Sequence, residues 1–462
     1  MIRLKKTRTV LLVLTLLSAA IPATAQSTQT NLPAWLTRPL SLVDALNTAL
    51  QQNAQVAEAR NDLETSRGVV VETRAVALPQ LQANGQYKYT QPSDIEAFGV
   101  NGFSLSAPDQ NWNAGIQLVQ SIYLGGRLSA AFRAATATEK QALANYETSL
   151  ADAMLNVRLA YNDVLLAAQE ITVHEASVAL LAKELSDQQQ RLNAGTVPKF
   201  NVLRAQVAVA NERPNLIQAR NNYRIAKNNL ANLLGYNIPH DVWEDIPLNL
   251  IDGFDVAPVQ INLPDAIQQA LGRRTELLAL RQNMELQQLN IINAKSGYKP
   301  AVSVFAGYGW FNEQYPPPGQ SEVSLARDYS GWNAGAQLSW NIFDGLLTAG
   351  KVREAKAQYA KSQTVLDDQA RQIELQVRTA YSDLLQARET LDSQVTVQAE
   401  AEEALREAKQ RAEAGTGTQL DVLDAETSLT QARTTQIQAQ HDYAAARARF
   451  DRAVGTDVQP IK

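Results

Sequence analysis

The chain has 462 residues, no cysteine, and 42 Lys and Arg against 47 Asp and Glu. Without cysteine, no disulfide can staple an exported fold and no thiolate metal site can form. The acidic balance argues against a nucleic-acid binder, which needs a basic footprint.

At the N-terminus, Arg3, Lys5, Lys6 and Arg8 precede the apolar run VLLVLTLLSAA, and ATA at 23–25 supplies small residues for cleavage before Gln26. Residues 1–25 therefore read as a secretory signal, too short to span a bilayer as a helix. The leader takes four basic residues with it, leaving 38 basic against 47 acidic, a mature charge of −9. No run of about 20 apolar residues is evident after it, so no ordinary transmembrane helix is expected. Residues 26–40 form a short N-terminal segment.

From residue 41 onward the chain is duplicated. NWNAGIQL at 111–118 matches GWNAGAQL at 331–338, and RLNAGTVPKFNVLRAQ at 191–206 matches RAEAGTGTQLDVLDAE at 411–426, both offset by 220 residues. Upstream, Leu42 with Asp44-Ala45 matches Leu263 with Asp265-Ala266, and Pro79 matches Pro300, offset by 221. The repeats span 41–235 and 262–455. A Pro- and turn-rich connector lies at 236–261, and a short tail follows at 456–462.

Each repeat opens with an expected helix of about 35 residues, over 41–76 and 262–296. A strand, a loop and a second strand follow. A very long helix comes next, over 127–193 and 348–413, with no proline or glycine inside 127–194 or 351–414. At 1.5 Å per residue such a helix is a rod of roughly 100 Å. An AGT turn ends it at 194–196 and 414–416, and a returning helix of about 34 residues runs to Gly235 or Gly455. Two short helices thus match one long one, and the simplest packing stacks the short pair end to end beside it. Leu143, Tyr146, Leu150, Met154, Val157, Tyr161, Val164, Ala168 and Ile171 form a three- and four-residue stripe that suits a coiled coil or a plain bundle core equally. Pro214, whose partner in the second repeat is Thr434, predicts a kink or break in its helix.

The strands point to a membrane. In PQLQANGQYKY at 79–89, Leu81, Ala83, Gly85, Tyr87 and Tyr89 share one face, and Gln80, Gln82, Asn84, Gln86 and Lys88 the other. At 332–342, Trp332, Ala334, Ala336, Leu338, Trp340 and Ile342 oppose Asn333, Gly335, Gln337, Ser339 and Asn341. The strands at 112–122 and 302–310 alternate less cleanly. Lengths of about 9–11 residues fit transmembrane β-strands, and Tyr89, Trp112, Trp310 and Trp332 suit the interfaces. A soluble half-buried sheet would also alternate, but the polar face here is mostly uncharged amide and the flanking helices are too long for a compact domain. Four strands cannot close a barrel and open edges are not viable in lipid, so several chains must share one barrel.

This anatomy resembles the TolC family of outer-membrane efflux and secretion proteins across essentially the whole mature chain. The most specific element is AGTGTQLDVLDAETSL at 414–429, supported by AGTVPKFNVLRAQ and by ALPQL entering a strand. The resemblance implies a mixed α and β membrane protein: a homotrimer with a twelve-stranded transmembrane β-barrel, four strands per chain, continuous with a long periplasmic α-helical barrel. It implies passive export through that duct, a periplasmic adaptor protein, an inner-membrane pump or ABC transporter, outer-membrane lipid, no nucleic acid and no cofactor. By position, Asp421 and Asp424 match the aspartates that ring the periplasmic entrance in the founding member of the family. Three residues apart, they can face one side of a helix, and threefold repetition would make a cation-attracting ring. Two solvated carboxylates favoured by a helix start are the plainer reading. The turns Gly195-Thr196 and Gly415-Thr416 match the tips that the adaptor grips. Ala412 and Gly417 stand where the founding member has the Tyr and Arg that lock its mouth, so the lock here is expected to differ.

No chemistry competes with this reading. GLLTAGK at 345–351 has the spacing of a phosphate loop, but Val352 replaces the Ser or Thr that would hold Mg²⁺. In the first repeat Gly125 stands opposite Gly345, while Ala130 and Ala131 stand opposite Gly350 and Lys351. The glycines are expected to bend the backbone and the Lys to be incidental. His174, His240 and His441 lack metal-ligand partners at helical spacing and are expected at solvated positions. Asp367-Asp368 lies mid-helix without a base or nucleophile, and Tyr161 and Tyr381 are packing equivalents. The chain is therefore expected not to be an enzyme. A structural or adhesive coiled-coil protein anchored by an outer-membrane barrel is the alternative.

Overall fold

The computed structural model describes residues 39–90, 98–100, 103–105, 108–236, 245–315 and 325–456. The signal, most of the C-terminal tail and His240 lie outside them. The long helices are as expected: α3 is Arg127–Asn193 and α7 is Leu347–Glu413, 67 residues each. The returning helices are α4, Lys199–Leu233, and α8, Gln419–Val454.

The opening helix of each repeat is not continuous. In the first, α1 (Leu42–Gln52) and α2 (Ala54–Ala75) are parted by Asn53. In the second, α5 (Leu263–Arg273) and α6 (Thr275–Lys295) are parted by Arg274. Both residues leave the helical conformation, with ψ of 131° and 122°. Neither is a strong helix breaker, which is why periodicity predicts one helix. The break has a reason in space. Asn53 Oδ1 caps α2 by accepting from the Gln55 and Val56 amides, and its Nδ2 donates to the Leu233 carbonyl at 2.8 Å. Arg274 Nη1 donates to the Ala453 carbonyl at 3.1 Å. Leu233 and Ala453 are repeat equivalents, so each break supplies a donor to the open last turn of a returning helix.

The core sits at this level. Leu40, Leu46, Met154, Val157, Tyr161, Val164, Leu230, Leu234, Ile246 and Leu248 are buried together in the first half. Ala270, Leu277, Ile373, Val377, Leu384, Tyr443, Ala446 and Phe450 are buried together in the second. Small residues dominate elsewhere on α3 and α8, letting the rods approach closely. α3 is apolar enough over one 18-residue window to cross a membrane by length and composition, contrary to the expectation that no such stretch follows the signal. Along its length α3 packs on α1, α2, α4, α6 and α8. Tyr161 is buried and donates to the Leu40 carbonyl at 3.0 Å, whereas Tyr381 is half-buried near Phe450.

Pro214 does not break α4, which continues through it. It lacks the amide that would bond to Ala210, and its side chain is exposed. Pro214→Ala is expected to stabilise the helical body by about 1–3 kcal/mol, since interior proline costs roughly 3 kcal/mol against alanine. A thermal melt of the helical circular-dichroism signal checks this; an unchanged or lower midpoint would mean that the ring contributes packing of its own.

Strands β1 (Gln80–Tyr89), β4 (Gln110–Leu124), β5 (Ala301–Tyr315) and β6 (Leu325–Ser339) form one antiparallel sheet in the order β1-β4-β5-β6. A separate short hairpin joins β2 (Phe98–Val100) to β3 (Phe103–Leu105). β6 ends before the predicted limit because Trp340 leaves the ladder, its indole donating to the Tyr298 carbonyl at 3.2 Å. Register decides the faces. Ala83 pairs with Ile116, Ile116 with Tyr308, and Tyr308 with Trp332; Leu81, Leu118, Ala306 and Ala334 form the next row on that face. Gln82, Gln117, Gly307 and Asn333 form a row on the other face, as do Gln86, Asn113, Phe311 and Tyr329. All four strands thus turn most of their apolar residues to one side, with Phe305, Phe311 and Tyr329 standing among the amides on the other. The apolar side is bare in the single chain: Leu81 is 70% exposed, Leu338 67% and Trp332 80%. Apolar surface on this scale needs lipid or another chain to cover it.

Where strand passes to long helix, Gly125 and Gly126 have φ of 67° and 89°, and Gly345 and Leu346 have 66° and 71°. The paired left-handed residues turn the chain through the junction, which accounts for the glycines of the phosphate-loop-like stretch. Asp344 then caps α7 through the Thr348 amide at 2.9 Å and its hydroxyl.

Candidate entrance site at the helix tips

Both long helices end in the same motif. Gly195 is left-handed, its amide donates to the Leu192 carbonyl and the Thr196 amide to that of Arg191, both at 2.9 Å. Gly415 is left-handed too, and the Thr416 amide donates to the Arg411 carbonyl at 2.9 Å. The Thr196 and Thr416 hydroxyls donate to the same carbonyls. Each tip is thus a closed Schellman turn. All four tip residues are exposed.

The two tips start their returning helices differently. α4 has Pro198 at its cap and no side-chain bond there. α8 opens on a capping box: Asp421 accepts from the Thr418 amide at 2.8 Å and hydroxyl at 2.9 Å, and the Asp421 amide donates to Thr418 Oγ1. The backbone bond from Thr418, then its hydroxyl bond, hold the Asp421 carboxyl below the usual range. Asp424 is exposed one turn on. In the first repeat these positions hold Asn201 and Arg204, so each chain brings one pair of acids, from α8 alone.

The tips are side by side. Gln419 Nε2 donates to the Asn201 carbonyl at 3.0 Å, joining the start of α8 to the start of α4. Leu423 packs with Leu181 and Val209; Leu180 packs against Leu405, Val422 and Leu429; Thr430 Oγ1 meets Ser177 Oγ at 3.1 Å. Ala412 lies against the second of these clusters. A Cβ on Gly417 would sit 2.9 Å from Arg411 Cβ, so this turn leaves no room for a side chain there. The α3–α4 and α7–α8 hairpins are therefore held by an apolar seam and a side-chain-to-backbone bond.

That seam holds one residue that sequence reading passed over. Glu426 follows Val422 by four and precedes Leu429 by three, all three buried, so an acid occupies a seam position. Lys409 Nζ lies 3.2 Å from its Oε1. A charge at an apolar place in the three-four pattern was the available signal.

The two described histidines are not solvated, contrary to expectation. His174 Nδ1 lies 2.7 Å from Glu212, and His441 lies 2.8 Å from Asp163 and 3.0 Å from Asp442, with side chains only 16% and 13% exposed. Burial lowers His441, but the two aspartates outweigh it and leave its pKa raised. No group of three His, Cys, Asp or Glu able to hold a metal occurs among the described residues.

The model of the family described as outer membrane efflux protein matches residues 45–236 and again 266–456. The outer membrane protein TolC of Escherichia coli strain K12 is 24% identical over 428 residues, covering 91% of this chain and 83% of that protein. The alkaline protease secretion protein AprF of Pseudomonas aeruginosa is 24% identical over 416 residues, covering 89% and 83%. The outer membrane channel CmeC of Campylobacter jejuni shares the fold, with a TM-score of 0.75 at 15% identity over 91% of this chain and 87% of that one. With both halves matched by the family model, the chain belongs to the outer membrane efflux protein family.

Proposed function

We propose that this outer-membrane protein, which extends into the periplasm, acts as a passive trimeric exit duct for efflux or type I secretion. The amide-rich face of the sheet carries the proposal. Gln82, Asn84, Gln86, Asn113, Gln117, Asn333 and Gln337 oppose an apolar face that suits lipid, so they need water on their own side. Among the described residues β1 and β6 each have an unpaired edge. Pairing β6 of one copy with β1 of the next closes twelve strands from three chains and leaves no edge in the membrane. The helices support the same closure. α3 has short helices on both flanks, whereas α7 packs on α5, α6 and α8 within its own chain. α7 exposes Leu375, Leu385 and Val395, and α4 exposes Val207, Ile217 and Ile225. Neighbouring copies would bury one set against the other.

In that assembly the tips form the periplasmic mouth. Asp421 and Asp424 of three copies make a ring of six carboxylates, and Gly195, Thr196, Gly415 and Thr416 face a periplasmic adaptor. An inner-membrane pump supplies the energy, and the mouth opens when the hairpins part. The family is one of channels rather than enzymes, and the duct itself performs no chemistry.

Single-channel recording of the mature protein in a planar bilayer tests this. Discrete cation-selective steps are expected, and Asp421→Asn with Asp424→Asn together should reduce cation preference several-fold. Steps of unchanged selectivity would remove the ring and keep the duct. No steps from inserted trimers would favour the anchored structural or adhesive coiled coil.

A further inference from the structure

Glu426 is 2% exposed within a single chain, about 10 Å along α8 from its start. Its cationic neighbour among the described residues, Lys409 on α7, approaches Oε1 at 3.2 Å with its own side chain 37% exposed. Neither carboxylate oxygen has a well-directed hydrogen bond among the described residues, so the carboxylate depends on its close charge contact with Lys409. From α3 the facing charge is Glu184, which accepts from Gln188 Nε2 at 2.8 Å. Gln188 is itself 5% exposed, and its Oε1 also lacks a partner. Polar groups of α3 and α8, Gln188 and Glu426, are thus enclosed beside the seam that holds the two hairpins together.

We propose that Glu426 is a positioning residue of the entrance: it sets how tightly the α7–α8 hairpin lies against α3, and protonation of its carboxyl group tightens that packing. This rests on reading the tips as the entrance. A buried carboxylate held only by a single, partly exposed lysine is costly. Glu184 repels it, and Lys409 is exposed enough to turn to solvent. The charged form therefore favours any displacement that lets water reach Glu426, and the nearest route is separation of the hairpin from α3. The neutral form carries no such penalty. Burial pushes the Glu426 carboxyl up, with Lys409 opposing and Glu184 adding. A pKa raised in the packed state means that the packed state gains as pH falls and loses as pH rises through that value.

The chain contains no cysteine, so Asn193→Cys with Glu413→Cys places spin labels on the two tips alone. Labelled chains diluted with unlabelled ones, assembled as the full protein, report the intrachain tip distance by pulsed electron spin resonance at about pH 8 and about pH 5. The distribution is expected to be longer and broader at the higher pH and shorter at the lower. Glu426→Gln should give the short distribution at both. Lys409→Met should widen the distribution at the higher pH and recover at the lower, and it carries the test if Glu426→Gln does not assemble. A wild-type distance indifferent to pH, a Glu426→Gln profile that follows wild type, or a Lys409→Met profile without widening overturns the proposal. Bilayer recordings separate the two readings. A pH-dependent distance without conductance refutes the duct and leaves the latch; conductance without that dependence refutes the latch alone.

Discussion

Gly235→Ala is expected to destabilise the protein by about 2–5 kcal/mol, whereas Gly455→Ala at the equivalent place should cost about 1–2 kcal/mol. Both glycines end a returning helix with φ of 80°, and an L-residue is strained there in either case. What lies outside differs. A Cβ on Gly235 would stand 2.3 Å from the carbonyl oxygen of Gln52 and 2.7 Å from its carbonyl carbon. Those atoms belong to the last residue of α1, beside the cap residue Asn53, and cannot swing aside as a long side chain would. A Cβ on Gly455 would meet nothing nearer than 3.6 Å. The first substitution must push α4 away from the break it packs on, and with it the bond from Asn53 to Leu233. Thermal loss of the helical signal and the yield of assembled protein read both variants. Equal losses would show that the left-handed backbone, not the close approach, governs the junction.

That pair of glycines shows what the sequence carries and what it withholds. Both are legible as helix stops, because glycine at a helix end followed by turn residues has one common meaning. The duplication, the two long rods, the AGT turns and the alternating strands are legible for similar reasons: each depends on local pattern and sterics. The breaks at Asn53 and Arg274 are not. An asparagine or an arginine inside a helical pattern is ordinary, and only the distant carbonyls of Leu233 and Ala453 explain why the helix yields there. Leu346, left-handed without being glycine, is hidden in the same way, since its conformation is imposed by the strand-to-helix turn. At the tips, Asp421 and Asp424 stand out through their spacing and their resemblance to a known mouth. Glu426 does not, although its place in the three-four pattern is anomalous, because a single acid in an Ala- and Gln-rich helix passes for surface. Its burial depends on how α3 crosses the second hairpin, a contact between residues some 250 apart in the chain, such as Ser177 and Thr430.

The two halves also hold their middles by different physics, and this leads to the other large expected effect. In the first half, Asn53 meets an apolar core that includes the connector residues Ile246 and Leu248. At its edge the buried Lys227 donates to the Ile246 carbonyl at 3.0 Å and pairs with Asp245. In the second, Arg274 stands at the break and a buried charge cluster forms around it. Arg452 Nε donates to Asp152 at 2.8 Å and its Nη2 to Glu276 at 2.7 Å. Arg274 grips Glu276 at 2.8 and 2.9 Å and reaches Gln376 at 3.2 Å. The side chains of Arg274, Arg452 and Glu276 are 7%, 9% and 20% exposed, whereas Asp152 on α3 is half exposed, so α6 and α8 meet around charges largely removed from water. Arg452→Met should therefore cost about 3 kcal/mol, mostly from leaving the buried Glu276 with Arg274 alone, since the half-exposed Asp152 is solvated. Glu276 reports on the same cluster through pH. Burial raises its pKa, but Arg274 and Arg452 outweigh burial and hold the carboxyl at about 2, against an ordinary 4.5. A folded-state pKa below the unfolded one adds stability above the unfolded value and loses it as pH falls from there toward the folded value. For this group the window runs from about 4.5 down to about 2, and the amount at stake is at most about 3 kcal/mol. Melting midpoints should fall across that window in the wild type and fall less steeply in Glu276→Gln. In Arg452→Met the window should narrow, because the carboxyl returns toward its ordinary value. The double variant should lose less than the two single losses added together, since each already breaks the same pair. Additive losses, or an acid profile unmoved by either change, would mean that the cluster is a bystander and that apolar packing of Leu277, Ile373 and Phe450 holds the second half as it does the first.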